Sequence, residues 1–502
     1  MLEAWAQGLA SLLGAHQLIF LTLGVLVGLF VGVVPGLGGA ATLALLTPMT
    51  YGMSPIESFA LAGGVMGAVP MGGAVTAILL NTPGHAANVV TCLDGYPLAQ
   101  QGKAGLAIGA AASANAIGGL IGVISVLAIL PLARKLVMLV GPPEFFLLAT
   151  LGLVLVSTIS RGQLLRSLIT ACLGLMVATI GYSGVTATDR FTFGNEYLWD
   201  GVHFAPALIG LFAVAEMIQL TVKGGSVVSS DVPVKVSGTA AGLLETFRHP
   251  GALIRGSLIG TMLGCIPGIG GAVASFISYS VAVKTSRHPE TFGKGNVEGV
   301  IATEAAVNAK DGSTLIPTLA LGIPGGAEMA VFMGILILHG MQPGPLMLLE
   351  HQKEVYGLIW ALTASCFAAS ALGLLLSRPL AKVTHLDTQI LAPVVIAIAF
   401  AGSYAIDRAP ENMLVTLIFA GIGYAMIRFR FPRLALVIAM VLGGIAERSY
   451  HQSMMMSNGE WSIFASRVPC LILLALIVAA LAGPALSGLT RSFLSGIPRR
   501  AR

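Results

Sequence analysis

The chain has 502 residues, 56% of them hydrophobic and 10% charged, with a mean hydropathy of +0.88. A soluble domain carries about 25% charged residues, so this composition excludes a water-soluble fold and makes lipid the solvent for most of the sequence. Lys and Arg total 27 against 22 Asp and Glu, a net charge of +5. That surplus is too small and too scattered for a nucleic-acid partner.

In chain order, the N-terminus reaches its first apolar run without a Lys or Arg. A cleaved secretory signal needs a positive leading segment, so none is expected. A membrane-crossing helix needs roughly 20 apolar residues. Candidate runs lie at 17–34, 56–80, 105–130, 145–159, 164–182, 204–222, 252–266, 315–338, 356–376, 389–404, 413–427, 434–445 and 468–489. Cys92, Cys172, Cys265, Cys366 and Cys470 are isolated, which reads as inert apolar packing. The nine histidines are dispersed and no metal site is expected; His85 and His339 read as helix-end residues.

Basic residues orient the chain, because cytoplasmic loops are enriched in Lys and Arg. Arg491, Arg499, Arg500 and Arg502 place the C-terminus in the cytoplasm. Walking backwards, the loop with Arg428, Arg430 and Arg433 falls inside, as does Arg378 with Lys382.

The sequence also repeats itself. GVVPGLGGA at 32–40 recurs as GCIPGIGGA at 264–272, an offset of 232. NTPG at 81–84 is matched by GIPG at 322–325, offset 241; Leu93-Asp94-Gly95 by Leu338-His339-Gly340; and PLARK at 131–135 by PLAK at 379–382. If the halves were parallel, Lys103, Arg161, Arg166, Lys223, Lys235 and Arg248 would lie outside, against Arg134, Lys135 and Arg190 inside. Inverting the first half reverses that imbalance. The expected fold is therefore an all-α integral membrane protein of two inverted-topology repeats: residues 1–222, a cytoplasmic linker at 223–250, residues 251–450, and an added span with a basic tail at 451–502.

Inverted repeats with interrupted helices are the usual build of secondary transporters. Pro35, Gly36, Gly38 and Gly39 break the first repeat, and Pro267, Gly268, Gly270 and Gly271 break the second at the matching place. Proline removes a backbone donor and glycine permits positive φ. Irregular backbone in a membrane must be buried in protein or line a wet cavity. Free N–H groups at the following helix start can hold a carboxylate, and unwound carbonyls can ligate a cation. The competing reading is that these glycines only let helices pack closely.

A second pair, Asn81-Thr82-Pro83-Gly84 and Gly322-Ile323-Pro324-Gly325-Gly326, ends an apolar run in each repeat. These runs read either as arms of re-entrant hairpins, with Asn81 and Thr82 offering neutral hydrogen bonds to an anion, or as simple turns. Between the second repeat's breaks, Glu298, Glu304, Lys310 and Asp311 occupy a moderately apolar stretch, with Asn308 on the same helical face as Glu304. Charge at membrane depth marks an ion or substrate path; a surface helix is the alternative.

Taken together, PGLGG, ILLNTPG, IPGIGG, EGVIATEAAVNAKDG and LALGIPGGAEMAV resemble the large membrane subunit of the tripartite tricarboxylate transporters. The resemblance runs from about Leu18 to Ala480. It implies a bacterial inner-membrane permease subunit that imports citrate or other organic anions, driven by a coupling ion, Na⁺ or H⁺. It also implies a small four-helix membrane subunit and a periplasmic solute-binding protein as partners. By resemblance the Pro-Gly segments and the Glu304–Asn308 stretch are functional. The chain departs from the family pattern at Thr303, where proline is common, and at Val307, where a second asparagine stands beside Asn308.

Two rival readings remain. A passive anion channel would need no ion coupling. An intramembrane serine protease could use Gly181-Tyr182-Ser183-Gly184, with His203 as the nearest base. The chain has no P-loop, and Gly36–Ala41 only approximates a phosphate-binding glycine pattern without strands around it.

Overall fold

The computed structural model describes residues 2–34, 37–137, 140–159, 164–183, 188–223, 237–344, 347–383 and 388–495. Helix dominates. Among the described residues, eight helices are long and apolar enough to cross a membrane, and the chain is a multi-pass membrane protein. The single sheet described is a two-stranded hairpin, β1 (Gly181–Ser183) with β2 (Thr188–Arg190), paired antiparallel. Compactness divides the chain into two units: residues 1–134 with 203–425, and residues 135–202 with 426–502.

The larger unit holds both sets of breaks. Its first set comprises α1 (Ala15–Val33), α2 (Gly39–Thr50), α3 (Pro55–Leu80), α4 (Cys92–Gln100) and α5 (Ala104–Val137). Its second comprises α6 (Pro250–Gly264), α7 (Gly271–Thr285), α8 (Val297–Ser313), α9 (Leu315–Leu321), α10 (Ala327–Leu338) and α11 (Gln352–Val383). α3 begins with a capping box: Ser54 accepts from the Glu57 backbone and Glu57 accepts from the Ser54 backbone, with Pro55 in the first turn. It ends at Asn81 in the left-handed region, φ 53°, and α9 ends the same way at Gly322, φ 70°. A proline follows two residues later in each case, which stops the helix from resuming.

The two sets share one packing device. Gly24, Gly28 and Gly32 of α1 lie against the Leu61, Val65 and Val69 backbone of α3, so close that a Cβ would fall under 3.0 Å from it. Gly256, Gly260 and Gly264 of α6 lie in the same way on Ala302, Ala306 and Lys310 of α8. Small residues every fourth position let two membrane helices touch backbone to backbone. Numbers rise together in both pairs, so α1 runs parallel to α3 and α6 parallel to α8. α2 and α7 must then return the chain toward the side where the preceding helix began, which makes α1–α2 and α6–α7 the hairpins.

Contacts between the sets are reciprocal. Gly118 and Gly122 of α5 pack on Ala305 and Ala309 of α8, while Gly63 and Gly67 of α3 pack on Ala361 and Ser365 of α11. Asp94 abuts Gly299, and its sequence match His339 bonds Ser58, the residue 241 before Gly299, at 2.8 Å.

Several expectations change. The 315–338 run is two helices, α9 and α10, because Gly322–Gly326 interrupts it. The parallel runs of α1 with α3 and of α6 with α8 place hairpin turns at the first pair of breaks. α2 was not foreseen, its 12 residues being too few to register as a span. The 434–445 run is one end of Arg433–Met456, and the 204–222 run contains a π-helical segment, Ile209–Val214. The stretch with Glu304 is no surface helix: all residues from Gly299 to Ser313 are buried. Residues 224–236 of the expected linker (Lys235 among them), Gly184 and the terminal arginines 499, 500 and 502 lie outside the described residues. The rest of that stretch is not a plain linker: it holds a helix, Thr239–Arg248, whose Gly242 packs on the Leu106 carbonyl.

In the smaller unit, Arg433–Met456 packs on Leu164–Ala178, with Gly174 on the Leu436 carbonyl. Glu144 is fully buried and accepts from Arg467 Nε (2.5 Å), the Gly141 amide (2.8 Å) and Cys470 Sγ (3.2 Å). Arg190 donates twice to Glu447, at 2.6 and 3.1 Å. Those hydrogen bonds hold the Arg190 guanidinium above its ordinary pKa.

Candidate functional site

The described parts of all four breaks come together in the larger unit. The Gly268 amide donates to the Gly325 carbonyl at 3.2 Å. Gly84 is pressed against the Gly32 carbonyl, Gly39 against the Glu328 carboxylate, and Gly271 against Ala87. Gly38 faces the His85 ring and Gly326 faces Lys310 Nζ, at 3.9 and 3.8 Å from an added Cβ. Pro35 and Gly36 lie outside the described residues. Threonine hydroxyls from the preceding helices brace the second pair: the Gly84 amide donates to Thr76 Oγ1 at 3.2 Å, and the Gly325 amide to Thr318 Oγ1 at 3.3 Å.

Helices α2, α7 and α10 start from this point, capped by Gly38, Gly270 and Gly326, and none of the three has a side-chain cap. The Val273 amide of α7 is used on the Gly270 carbonyl at 3.1 Å, and the positive end of each helix dipole lies behind the remaining first-turn N–H groups. An ion pair and a histidine–carboxylate contact flank them. Lys310 Nζ bonds Asp311 Oδ1 at 2.6 Å, with both side chains buried, and His85 Nε2 meets Glu328 Oε1 at 3.1 Å. Asp311 Oδ2 and His85 Nδ1 are buried without a hydrogen-bond partner.

Glu304 sits two turns earlier on α8 and is fully buried. Asn88 Nδ2 donates to both its oxygens at 2.9 and 3.2 Å, Asn115 Nδ2 donates to Oε2 at 3.1 Å, and the Thr91 hydroxyl bonds Oε1. Asn308 donates to the Asn115 carbonyl at 3.1 Å, which locks α8 to α5 one turn further on. Glu304 and Asn308 thus share a face and a partner, as their spacing suggests.

Other predicted residues stand apart from this cage. Asn81 is exposed and serves as the left-handed end of α3, and the Thr82 hydroxyl is used on the Leu80 carbonyl at 3.0 Å. Pro83 and Pro324 stop their helices, and Pro267 lies in the turn after α6. Sequence reasoning passed over Asn88, Thr91, Asn115 and Glu328, and read His85 as a helix end. A signal was present in His85 and Asn88, three apart just after NTPG, and in Ser113 and Asn115 within an otherwise apolar run.

Comparison with known proteins bears on the same region. The sequence profile of the tripartite tricarboxylate transporter TctA family matches residues 18–438. The chain belongs to that family. An uncharacterized 52.8 kDa protein from the TAR-I ttuC' 3' region of Agrobacterium vitis is 33% identical over 477 residues, covering 94% of each chain. Another, from the TAR-II ttuC' 3' region of the same organism, is 33% identical over 211 residues, covering 41% of this chain and 86% of its own. No solved structure matches. Membership makes this a transporter subunit.

Proposed function

We propose that this chain is the large permease subunit of a secondary, ion-coupled importer of organic carboxylates in the bacterial inner membrane. It would work with a small four-helix membrane subunit and a periplasmic binding protein that delivers the anion. The observation that carries this reading is the meeting of three uncapped helix starts, α2, α7 and α10, beside the Lys310 ammonium. Free N–H groups, helix dipoles and a buried cation together form an anion site. The family's printed description, a tripartite tricarboxylate transporter, agrees with a carboxylate.

Alternating access requires two gates related by symmetry, and the contact register supports inverted repeats. Bridging residues link Gly67 of α3 to Asn308 through Cys366 and Gly119, Met71 to Glu304 through Asn115, and Ile78 to Gly299 through Gly95 and Asp94. Numbers rise along α3 and fall along α8, so equivalent helices of the two repeats run in opposite directions. Broken helices meeting at the centre of such a pair is the usual transporter arrangement.

Gly270 offers the test. No atom lies within 4 Å of a Cβ added there, and its φ of −70° suits any residue. A Gly270→Trp chain should reach the membrane at wild-type level yet lose uptake of labelled citrate and related carboxylates, measured with both partners present. Full uptake by this variant would reduce the breaks to packing devices. Uptake that ignores Na⁺ and H⁺ gradients would point to a channel.

A further inference from the structure

Glu304 is surrounded by donors. The amide NH₂ groups of Asn88 and Asn115 both donate to it, and hydrogen bonds of that kind favour the ionised carboxylate. No fixed cation touches it. Lys310 is spent on Asp311 and His85 on Glu328. Three carboxylates (Glu304, Asp311, Glu328) thus face one lysine and one histidine, and with all three ionised negative charge is in excess whichever form His85 takes. Buried charge of this kind needs a partner.

The same side chains supply what a partner would bind. With their NH₂ groups turned to Glu304, Asn88 and Asn115 leave Oδ1 buried with no hydrogen-bond partner. Asn308, its Nδ2 on the Asn115 carbonyl, leaves its Oδ1 in the same state. All three side chains are at most 2% exposed. Unused amide oxygens beside an uncompensated carboxylate are the donor set of a hard cation. A proton would neutralise one carboxylate oxygen and leave the three amide oxygens as they are.

We infer that Glu304, with the amide oxygens of Asn88, Asn115 and Asn308, forms a binding site for an alkali-metal cation of the Na⁺ class, and that this cation rather than a proton drives transport. One carboxylate among neutral oxygens suits a monovalent ion, since divalent ions recruit several carboxylates. Coupling follows from placement. Glu304 and Lys310 are six residues apart on α8, about 9 Å along the helix. A cation at Glu304 offsets the excess negative charge that would otherwise repel an organic anion from Lys310 and the helix starts. Anion and cation then bind more tightly together than apart.

The driving-ion part rests on the transporter reading, whereas the binding site does not. The full chain in nanodiscs would be melted in NaCl, KCl and choline chloride at one ionic strength, and titrated with NaCl by calorimetry. NaCl should raise the melting temperature saturably over choline chloride. Asn115→Ala and Asn308→Ala should each weaken Na⁺ at least about tenfold, Glu304→Gln should abolish the response, and Ser183→Ala should leave it unchanged. Equal melting in NaCl and choline chloride overturns the site, as does an undiminished response in Asn308→Ala, which keeps the test open if Glu304→Gln fails to fold. A response to Mg²⁺ or Ca²⁺ alone overturns the monovalent assignment. Carboxylate uptake driven by a pH gradient without Na⁺ would refute the driving ion and leave the transporter standing. Na⁺ binding lost in Glu304→Gln, with no carboxylate transported under any gradient, would refute the transporter and leave the cation site.

Discussion

The α1–α3 pair and the α6–α8 pair are built on the same skeleton and carry different chemistry. Glycines 24, 28 and 32 recur at 256, 260 and 264, an offset of 232, and the backbone they rest on recurs from 61, 65 and 69 to 302, 306 and 310, an offset of 241. Applying 241 to the rest of α8 pairs Glu304 with Gly63, Asn308 with Gly67, Lys310 with Val69 and Asp311 with Pro70. The first copy kept small and apolar residues that pack on α11; the second placed every charge of the helix core. The repeated glycines therefore supply a common frame, while the buried charges are carried on one side of it.

That comparison can be broken most forcefully at the glycines. Gly260→Leu and Gly28→Leu should be equally severe, since each drives a side chain into the facing helix backbone; at least about 3 kcal/mol of stability should go. The fraction of monodisperse protein after extraction would show it, and a tolerant Gly28→Leu would mean the two interfaces are unequal.

A smaller effect sharpens the difference in charge. Lys310→Met leaves Asp311 buried without its cation and should cost about 3 kcal/mol. Adding Asp311→Asn, toward the uncharged Val69-Pro70 of the first copy, should recover much of that loss while carboxylate binding stays absent. Thermal melts of the single and double variants, with ligand titration, would check both halves of the statement.

Smallest are the reciprocal contacts at Asp94 and His339. Asp94 accepts from Tyr279 (2.9 Å), the Gly295 amide (2.9 Å) and the Asn296 amide (2.8 Å), whereas the His339 ring bonds the Ser58 hydroxyl and lies against the Thr50 backbone. Asp94→Ala should cost about 2 kcal/mol and His339→Ala about 1 kcal/mol. Equal melting-temperature changes would show that the two contacts are interchangeable.

Much of the frame was legible beforehand. The Pro-Gly breaks, the repeated glycines and the shared helical face of Glu304 and Asn308 all follow from local patterns, because proline, glycine and a charge in an apolar run each have a fixed physical meaning. The second pair of breaks read equally as re-entrant arms or as simple turns, since a break shows where a helix stops and not which way the chain then turns. α2 escaped notice because a helix that turns back needs only half a span.

Sequence alone determined a membrane protein of two related halves with interrupted helices, through apolar content, charge placement and repeated punctuation. Tertiary structure decided what the interruptions surround. Asn88 and Asn115 reach Glu304 across 216 and 189 residues, and no periodicity within either segment encodes that meeting. It arises because glycine stripes bring α8 against α6 and α5 so closely that a buried carboxylate must take its hydrogen bonds from whatever side chains the neighbouring helices present.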